Sequence, residues 1–318
     1  MTMQAAFHFP SLVWDWPIAI YLFLLGISAG ATSLSVLLRR KGAGSESGII
    51  KATAILAPVS VVLGLLILIF HLARPWTFWK LMFHYQFDSV MSMGVMLFQL
   101  YMAVLFAWLG VVFRAEIEAL RSRLFKQKFA FVDGLIGLLA RVERLLAPLL
   151  LLLAVLLGAY TGFLLSALKT YPLLNNPVLP VLFLVSGIGS GIAATILLAV
   201  TLFKEDHHSV GVHFVHRFER PLLAVEILLL ICFFTGLYFG GGQKEVAMWA
   251  AIGGGFWSQV FWVGVVGIGM LLPQLLGLLT PPPLRERRGH LVLVCSLTLL
   301  GVLLLRYFVL YAGQMTVV

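Results

Sequence analysis

Seven residues of this 318-residue sequence combine a chemically capable side chain with a place in or beside a long apolar run: Asp15, Tyr21, His71, Arg74, Asp88, Tyr160 and Arg306. Phenols and guanidinium groups donate hydrogen bonds to ligand oxygens. An imidazole titrates near neutral pH, so His71 suits a proton acceptor. Each residue also has a purely structural reading. Tyr21 and Tyr160 fit an interfacial aromatic belt, Arg306 could snorkel to a surface, and His71 and Arg74 could cap the end of a helix. Taken as a set they point further, because ionisable groups next to apolar spans are functional candidates by default.

The elements that must position them follow from composition. The chain is 61% hydrophobic and 11% charged, with a mean hydropathy of +1.03. Soluble domains average about 45–50% apolar and roughly 25% charged residues. This balance excludes an ordinary soluble enzyme, a disordered chain and a nucleic-acid binder, and predicts an all-α integral membrane protein whose surroundings are the lipid bilayer. Runs of about 20 apolar residues mark spans. The sequence predicts eight: Trp16–Leu38, Ile50–Ala73, Ser89–Phe113, Arg144–Leu168, Leu179–Phe203, Pro221–Gly240, Phe256–Leu279 and His290–Tyr311. The apolar stretch from Val246 to Leu279 is too long for one straight span, so a short interfacial helix through Trp249 is expected, broken at Gly253-Gly254-Gly255.

Of the 22 Lys and Arg residues, 17 lie in or at the edges of the loops after spans 1, 3, 5 and 7. Both termini are therefore expected to face outward, and the +9 net charge reads as topology rather than as a sign of an anionic partner. No Lys or Arg precedes span 1, which argues against a secretory signal peptide. The connection from Arg114 to Glu143 is expected to form a cytoplasmic amphipathic helix. On this topology the seven polar residues converge at or just beneath the outer face. Seven of the eight tryptophans share that side, Trp76 and Trp79 among them, leaving Trp108 near the inner end. That asymmetry suggests a docking surface as well as a belt. Glu226 lies about two turns into span 6, behind His213, His216 and Glu219, where it could relay protons or pair with a neighbouring span.

Gly26-Ile27-Ser28-Ala29-Gly30 in span 1 resembles Gly187-Ile188-Gly189-Ser190-Gly191 in span 5, at an offset of 161 residues. Either the likeness is coincidental, such small-residue patterns being common in membrane helices, or it marks an internal repeat of two four-helix bundles. On the repeat reading, bundle one takes spans 1–3 with their cytoplasmic loop (residues 1–143) and span 4 with its outer loop (144–178). Bundle two takes residues 179–318.

The chemistry is bounded by what is missing. Two cysteines cannot supply a four-thiolate cluster. The eight histidines are terminal, in loops or at span ends, so no facing pair is available for haem. His207-His208 with His213 and His216 has metal-like spacing but reads as a solvated loop. A redox role would need a diffusible lipid-soluble carrier and a partner that holds the redox centres.

Four segments then resemble the NrfD family, membrane subunits related to the polysulfide reductase anchor. They are Trp14-Asp15-Trp16-Pro17-Ile18-Ala19-Ile20-Tyr21, His71-Leu72-Ala73-Arg74-Pro75-Trp76, Tyr160-Thr161-Gly162-Phe163-Leu164-Leu165-Ser166, and Leu305-Arg306-Tyr307 through Gly313-Gln314. The likeness covers the full length and is nearest the branch serving periplasmic cytochrome c nitrite reductase, on residues 78–96 and 156–180. It implies a quinol-oxidising subunit that takes menaquinol or ubiquinol as substrate and carries no haem or iron–sulfur cluster. It also implies a periplasmic ferredoxin-like iron–sulfur partner, with multihaem cytochromes downstream reducing nitrite to ammonium. The polysulfide reductase relative uses an Asn and a His on its first span and a Tyr on its fourth. Here Ile18 and Tyr21 replace the first two, and Tyr160 is kept.

Combining both lines, Tyr21, Tyr160, His71 and Arg306 are expected at the quinol, with His71, Asp88 and Glu226 in proton transfer. Arg74, Trp76, Trp79 and Asp15 are expected in partner docking. The alternatives are an anchor for another reductase, acting on polysulfide or an S-oxide, a secondary transporter built on the repeat, and a purely structural anchor.

Overall fold

A computed structural model describes residues 6–72, 74–125, 131–203, 210–285 and 287–317. Eight of its helices are long and apolar enough to cross a membrane. We number them α1 (Trp16–Arg40), α2 (Gly48–His71), α3 (Val90–Val112), α4 (Glu143–Ser166), α5 (Leu179–Thr201), α6 (Val210–Gly240, with Arg220–Gly240 as its apolar part), α7 (Phe256–Leu279) and α8 (Arg288–Gln314). The ends fall within about three residues of those expected from hydropathy. Pro17 and Pro180 occupy the first turns of α1 and α5, where the missing N–H has no helical acceptor to lose. Arg39 and Arg40 in the last turn of α1 complement the negative end of its dipole.

A helix at Gly242–Ile252 ends at the glycine run, and Gly254 and Gly255 take φ values of +157° and +92°. Glycine adopts such angles readily, so the backbone can turn sharply there before α7 begins. The Arg114–Glu143 connection differs from the single amphipathic helix expected. It contains two helices, Arg114–Phe125 and Phe131–Arg141. Charged residues concentrate in the first, while the second turns Ile136 inward against Gly110 of α3. Each segment thus has its own reason to be helical. His207 and His208 lie outside the described residues, as do the side chains of His213, His216 and Glu219.

The core is organised around α1, of which 78% is buried, against 22–33% for α2, α3, α6 and α7. It packs on α2, α4 and α5. Helix α5 in turn packs on α4, α6 and α8, α3 packs on α4, and α7 on α8. The α1–α5 crossing is backbone against backbone. A methyl group on Gly26 would stand 3.1 Å from the Gly187 Cα, and one on Gly30 only 2.5 Å from the Gly187 carbonyl oxygen. The two similar motifs found in the sequence therefore meet each other. In lipid, where apolar surface gains little by burial, such close approach is what holds helices together.

The crossing makes a sharp prediction. Gly30→Ala must push the helices apart and should lower stability by about 1–3 kcal/mol. Gly236→Ala in α6, with nothing within 4 Å of the new methyl, should be neutral. Unfolding midpoints of the two variants in one detergent test the contrast.

Candidate functional site

Helix α1 aims Tyr21 at α2 and α3. Its ring passes 3.5 Å from where a Gly64 Cβ would be and meets Phe98 edge to face, centroids 6.2 Å apart. Phe98 meets Tyr160 of α4 in the same way at 5.4 Å. Phe98 thus packs against two phenols on different helices and fixes both rings. Gly94, one turn before Phe98, opens the space for the second phenol: a Cβ there would overlap the Tyr160 hydroxyl. The Tyr21 hydroxyl is fully buried beside that of Tyr160 and, among the described residues, completes no hydrogen bond of normal geometry. An unmet buried donor costs about 1–3 kcal/mol, which a ligand oxygen would recover.

The next phenol along α3 is in the opposite condition. Tyr101 is buried, with its hydroxyl 2.8 Å from Ser28 Oγ and 2.7 Å from Thr32 Oγ1. Ser28 Oγ also donates to the Ala57 carbonyl at 2.8 Å, joining α2 to the cluster. This network ties α1, α2 and α3 together, and nothing in the sequence set Tyr101 apart from other aromatics. Its legible trace is Ser28 and Thr32 four residues apart on one helix face.

Nearer the face that carries both termini, Asp15 Oδ1 lies 3.5 Å from His71 Nε2, joining the start of α1 to the end of α2. Both side chains remain partly accessible, at 40% and 32%. Arg74, Trp76, Trp79 and Asp88 lie on the connection from α2 to α3, and all four are exposed, Trp76 at 88%. Phe83 and Phe87 are exposed on the same connection, and Lys80 Nζ stands 5.8 Å over the Trp79 ring.

Arg306 departs from both its expectations, because it neither snorkels nor joins the phenols. It is fully buried, donating from Nη2 to the Phe183 carbonyl at 3.0 Å and lying 3.7 Å over the Phe183 ring. Partners inside the protein remove the reason to reach for a surface. Its Nη2 comes within 3.6 Å of where a Gly26 Cβ would be, on the side of α1 that faces α5. Nε and Nη1 have no partner. Half-buried Glu226 on α6 is within electrostatic reach of this guanidinium without forming a direct ion pair.

A further residue, Gln314, closes the terminal face. Its Oε1 accepts from the Val13 and Trp14 backbone N–H groups at 2.9 Å each, and its Nε2 donates to the Trp14 carbonyl at 2.8 Å. The segment that leads into Tyr21 is thereby tied to the end of α8.

Comparison with known proteins fits this arrangement into a lineage. A family model described as "Polysulphide reductase, NrfD" matches residues 4–318. The chain belongs to the NrfD family. It is 55% identical to Protein NrfD of Escherichia coli (strain K12) over the full length of both proteins. It is 54% identical to the Protein NrfD homolog of Haemophilus influenzae, covering 98% of this sequence and 97% of that one. The polysulfide reductase C subunit of Wolinella succinogenes is 40% identical, with 96% of each sequence covered. Membership explains why the quoted segments occur together, while the arrangement of the phenols rests on the geometry above.

The two deep phenols should respond oppositely to loss of their hydroxyls. Tyr101→Phe strands Thr32 and should cost about 1–2 kcal/mol. Tyr21→Phe removes an unpartnered hydroxyl and should leave the ligand-free protein as stable as before, or more so. Thermal unfolding after removal of lipid-soluble ligands distinguishes them.

Proposed function

We propose that this NrfD-family protein is the membrane subunit that oxidises quinol for a respiratory reductase. The observation that carries the reading is the buried, unpartnered Tyr21 hydroxyl facing Tyr160 in the space opened by Gly94. Two neighbouring phenols braced by Phe98 offer hydrogen bonds to an oxygen of a quinol head group, and the aromatic side chains present an apolar wall to its ring. Ile18, at the start of α1, adds bulk without a polar group.

Quinol oxidation gives quinone, two electrons and two protons. The electrons leave for a ferredoxin-like iron–sulfur partner seated on Arg74, Trp76 and Trp79, whose exposed rings and cations fit an interface hot spot. The partner supplies the clusters, and its own partners, multihaem cytochromes, complete the route to nitrite. The protons pass to the His71–Asp15 pair and to Asp88, all open to the terminal face. Positive-inside bias puts that face in the periplasm, with the protein in the inner membrane of a bacterium. Glu226, near the buried Arg306 charge, is the candidate for a second proton route. The resemblance of residues 78–96 and 156–180 to the nitrite reductase branch supports nitrite as the terminal acceptor, and identity is higher to proteins named NrfD than to the polysulfide reductase subunit. The 40% identity to the latter keeps a polysulfide-type reductase as the second reading.

The test is quinol oxidation by the assembled complex, paired with binding of a quinone analogue. Tyr160→Phe should cut turnover about tenfold, the worth of one hydrogen bond, with the complex still assembled. Gly94→Ala should weaken analogue binding as strongly by displacing the same phenol. Unchanged turnover in Tyr160→Phe would remove that residue from the site. Trp76→Ala with Trp79→Ala should release the iron–sulfur partner yet leave analogue binding intact.

A further inference from the structure

A groove on the opposite, basic face is separate from the phenol pocket. Arg114 begins one connecting helix and Arg141 ends the next. Together with Gly134, Gly137, Leu138 and Ala140 they line a cavity of about 710 Å³. Arg114 Nη2 lies 4.0 Å from where a Gly137 Cβ would stand, and a Cβ on Gly134 would meet nothing within 4 Å. The glycines leave the groove unfilled beside the cations.

The charges in the groove are unspent. Arg39 meets Glu143 at 3.2 Å, so that carboxylate is taken. Among the described residues, neither Arg114 nor Arg141 has an ion pair or hydrogen bond, and Glu118, one turn beyond Arg114, does not close on it. Two guanidinium groups facing one open groove favour a tetrahedral oxyanion, whose oxygens can accept from both.

A second feature says what the anion is attached to. Leu138, itself a wall of the groove, is 58% exposed, and from it an apolar stripe continues onto α4 through Val142, Leu145, Leu149, Leu152 and Leu156. The alternating steps of three and four residues keep the α4 part on one helix face. Charge at the interface and an exposed apolar track leading from it into the bilayer match the two ends of a phospholipid. We infer that the groove binds the phosphodiester headgroup of an anionic phospholipid, with Arg114 and Arg141 sharing the phosphate and the acyl chains lying along the α4 stripe. Basic pockets at membrane level suit such headgroups. A free phosphate would satisfy the arginines but would make no use of the stripe.

The test uses full-length protein purified in detergent, stripped of lipid and then offered phosphatidylglycerol, cardiolipin, phosphatidylcholine or inorganic phosphate. Native mass spectrometry reads retained adducts, and thermal unfolding reads stabilisation. Phosphatidylglycerol or cardiolipin should be retained and should raise the unfolding midpoint, while phosphatidylcholine does neither. Arg114→Gln with Arg141→Gln should lower affinity for anionic lipid about thirtyfold, the scale expected of two interfacial cations. Gly137→Leu fills the groove with both charges kept and should give a similar loss. Arg287→Gln with Arg288→Gln, at the start of α8, should change nothing. Equal retention of phosphatidylcholine, full retention in both groove variants, or the same stabilisation by inorganic phosphate alone would overturn the assignment.

Discussion

Contact between the α1 and α5 backbones sets the depth of everything else in the membrane. Gly26 and Gly30 meet Gly187, and Gly191 meets Gly30 and Ala31, so neither helix can slide along the other without a collision. Each face of α1 then serves a different neighbour. Tyr21 looks to α2 and α3, Ser28 and Thr32 to Tyr101, and Gly26 to α5 and Arg306. Because α1 is so deeply buried, one register fixes the phenol pocket, the hydroxyl network and the buried guanidinium together. Gln314 clamps the entrance of the same helix, so its vertical position is held at the terminal face as well.

Most polar side chains within the spans need no partner from elsewhere. Ser33 donates to the Ala29 carbonyl, Thr161 to Gly158, Ser190 to Gly187 and Thr195 to Gly191, all within their own helices. Short hydroxyl side chains can bond back to the preceding turn and so disappear electrically into the helix. A tyrosine hydroxyl stands too far from its own backbone for that. Tyr101 solves the problem with two hydroxyls of α1, and the Tyr21 hydroxyl does not solve it at all. The difference between the two phenols is therefore a difference of local supply, and it separates a structural tyrosine from one available to a ligand.

The fold was largely legible because hydropathy, charge bias and helix punctuation all act locally. Span ends, the break at Gly253-Gly254-Gly255 and the helix through Trp249 follow from residues adjacent in sequence. The candidate site was legible only in part. Tyr21 and Tyr160 were visible as polar residues at one depth, yet depth says nothing of helix rotation. Rotation is what places Arg306 on the α5 side of α1, away from the phenols, and gives it a carbonyl and an aromatic face in place of a surface. Gly94 carried no mark in the sequence, since its role is to be absent from the space that a residue 66 positions later occupies. Tyr101 was hidden for the same reason, and the clamp made by Gln314 likewise, because their partners come from other parts of the chain.

The quinol reading also accounts for how relatives with different names can share so much of the sequence. If reduction of the terminal acceptor happens on partner subunits, the membrane subunit faces only lipid, a quinol and a docking surface. The first two demands do not change with the acceptor. Selection by nitrite or polysulfide would then fall on the exposed connection carrying Arg74, Trp76 and Trp79, while the α1–α5 crossing answers to packing and the space beside Gly94 to the quinol. A transporter would place its strongest constraint differently, on substrate-holding groups near the midplane at broken helices. Here Tyr101, the deeper of the phenols between α1 and α3, is already committed to Ser28 and Thr32. The uncommitted Tyr21 hydroxyl lies above it, about one turn below the face on which the partner would dock. On the quinol reading, a quinol held there would have a short path out for its electrons to the docked partner.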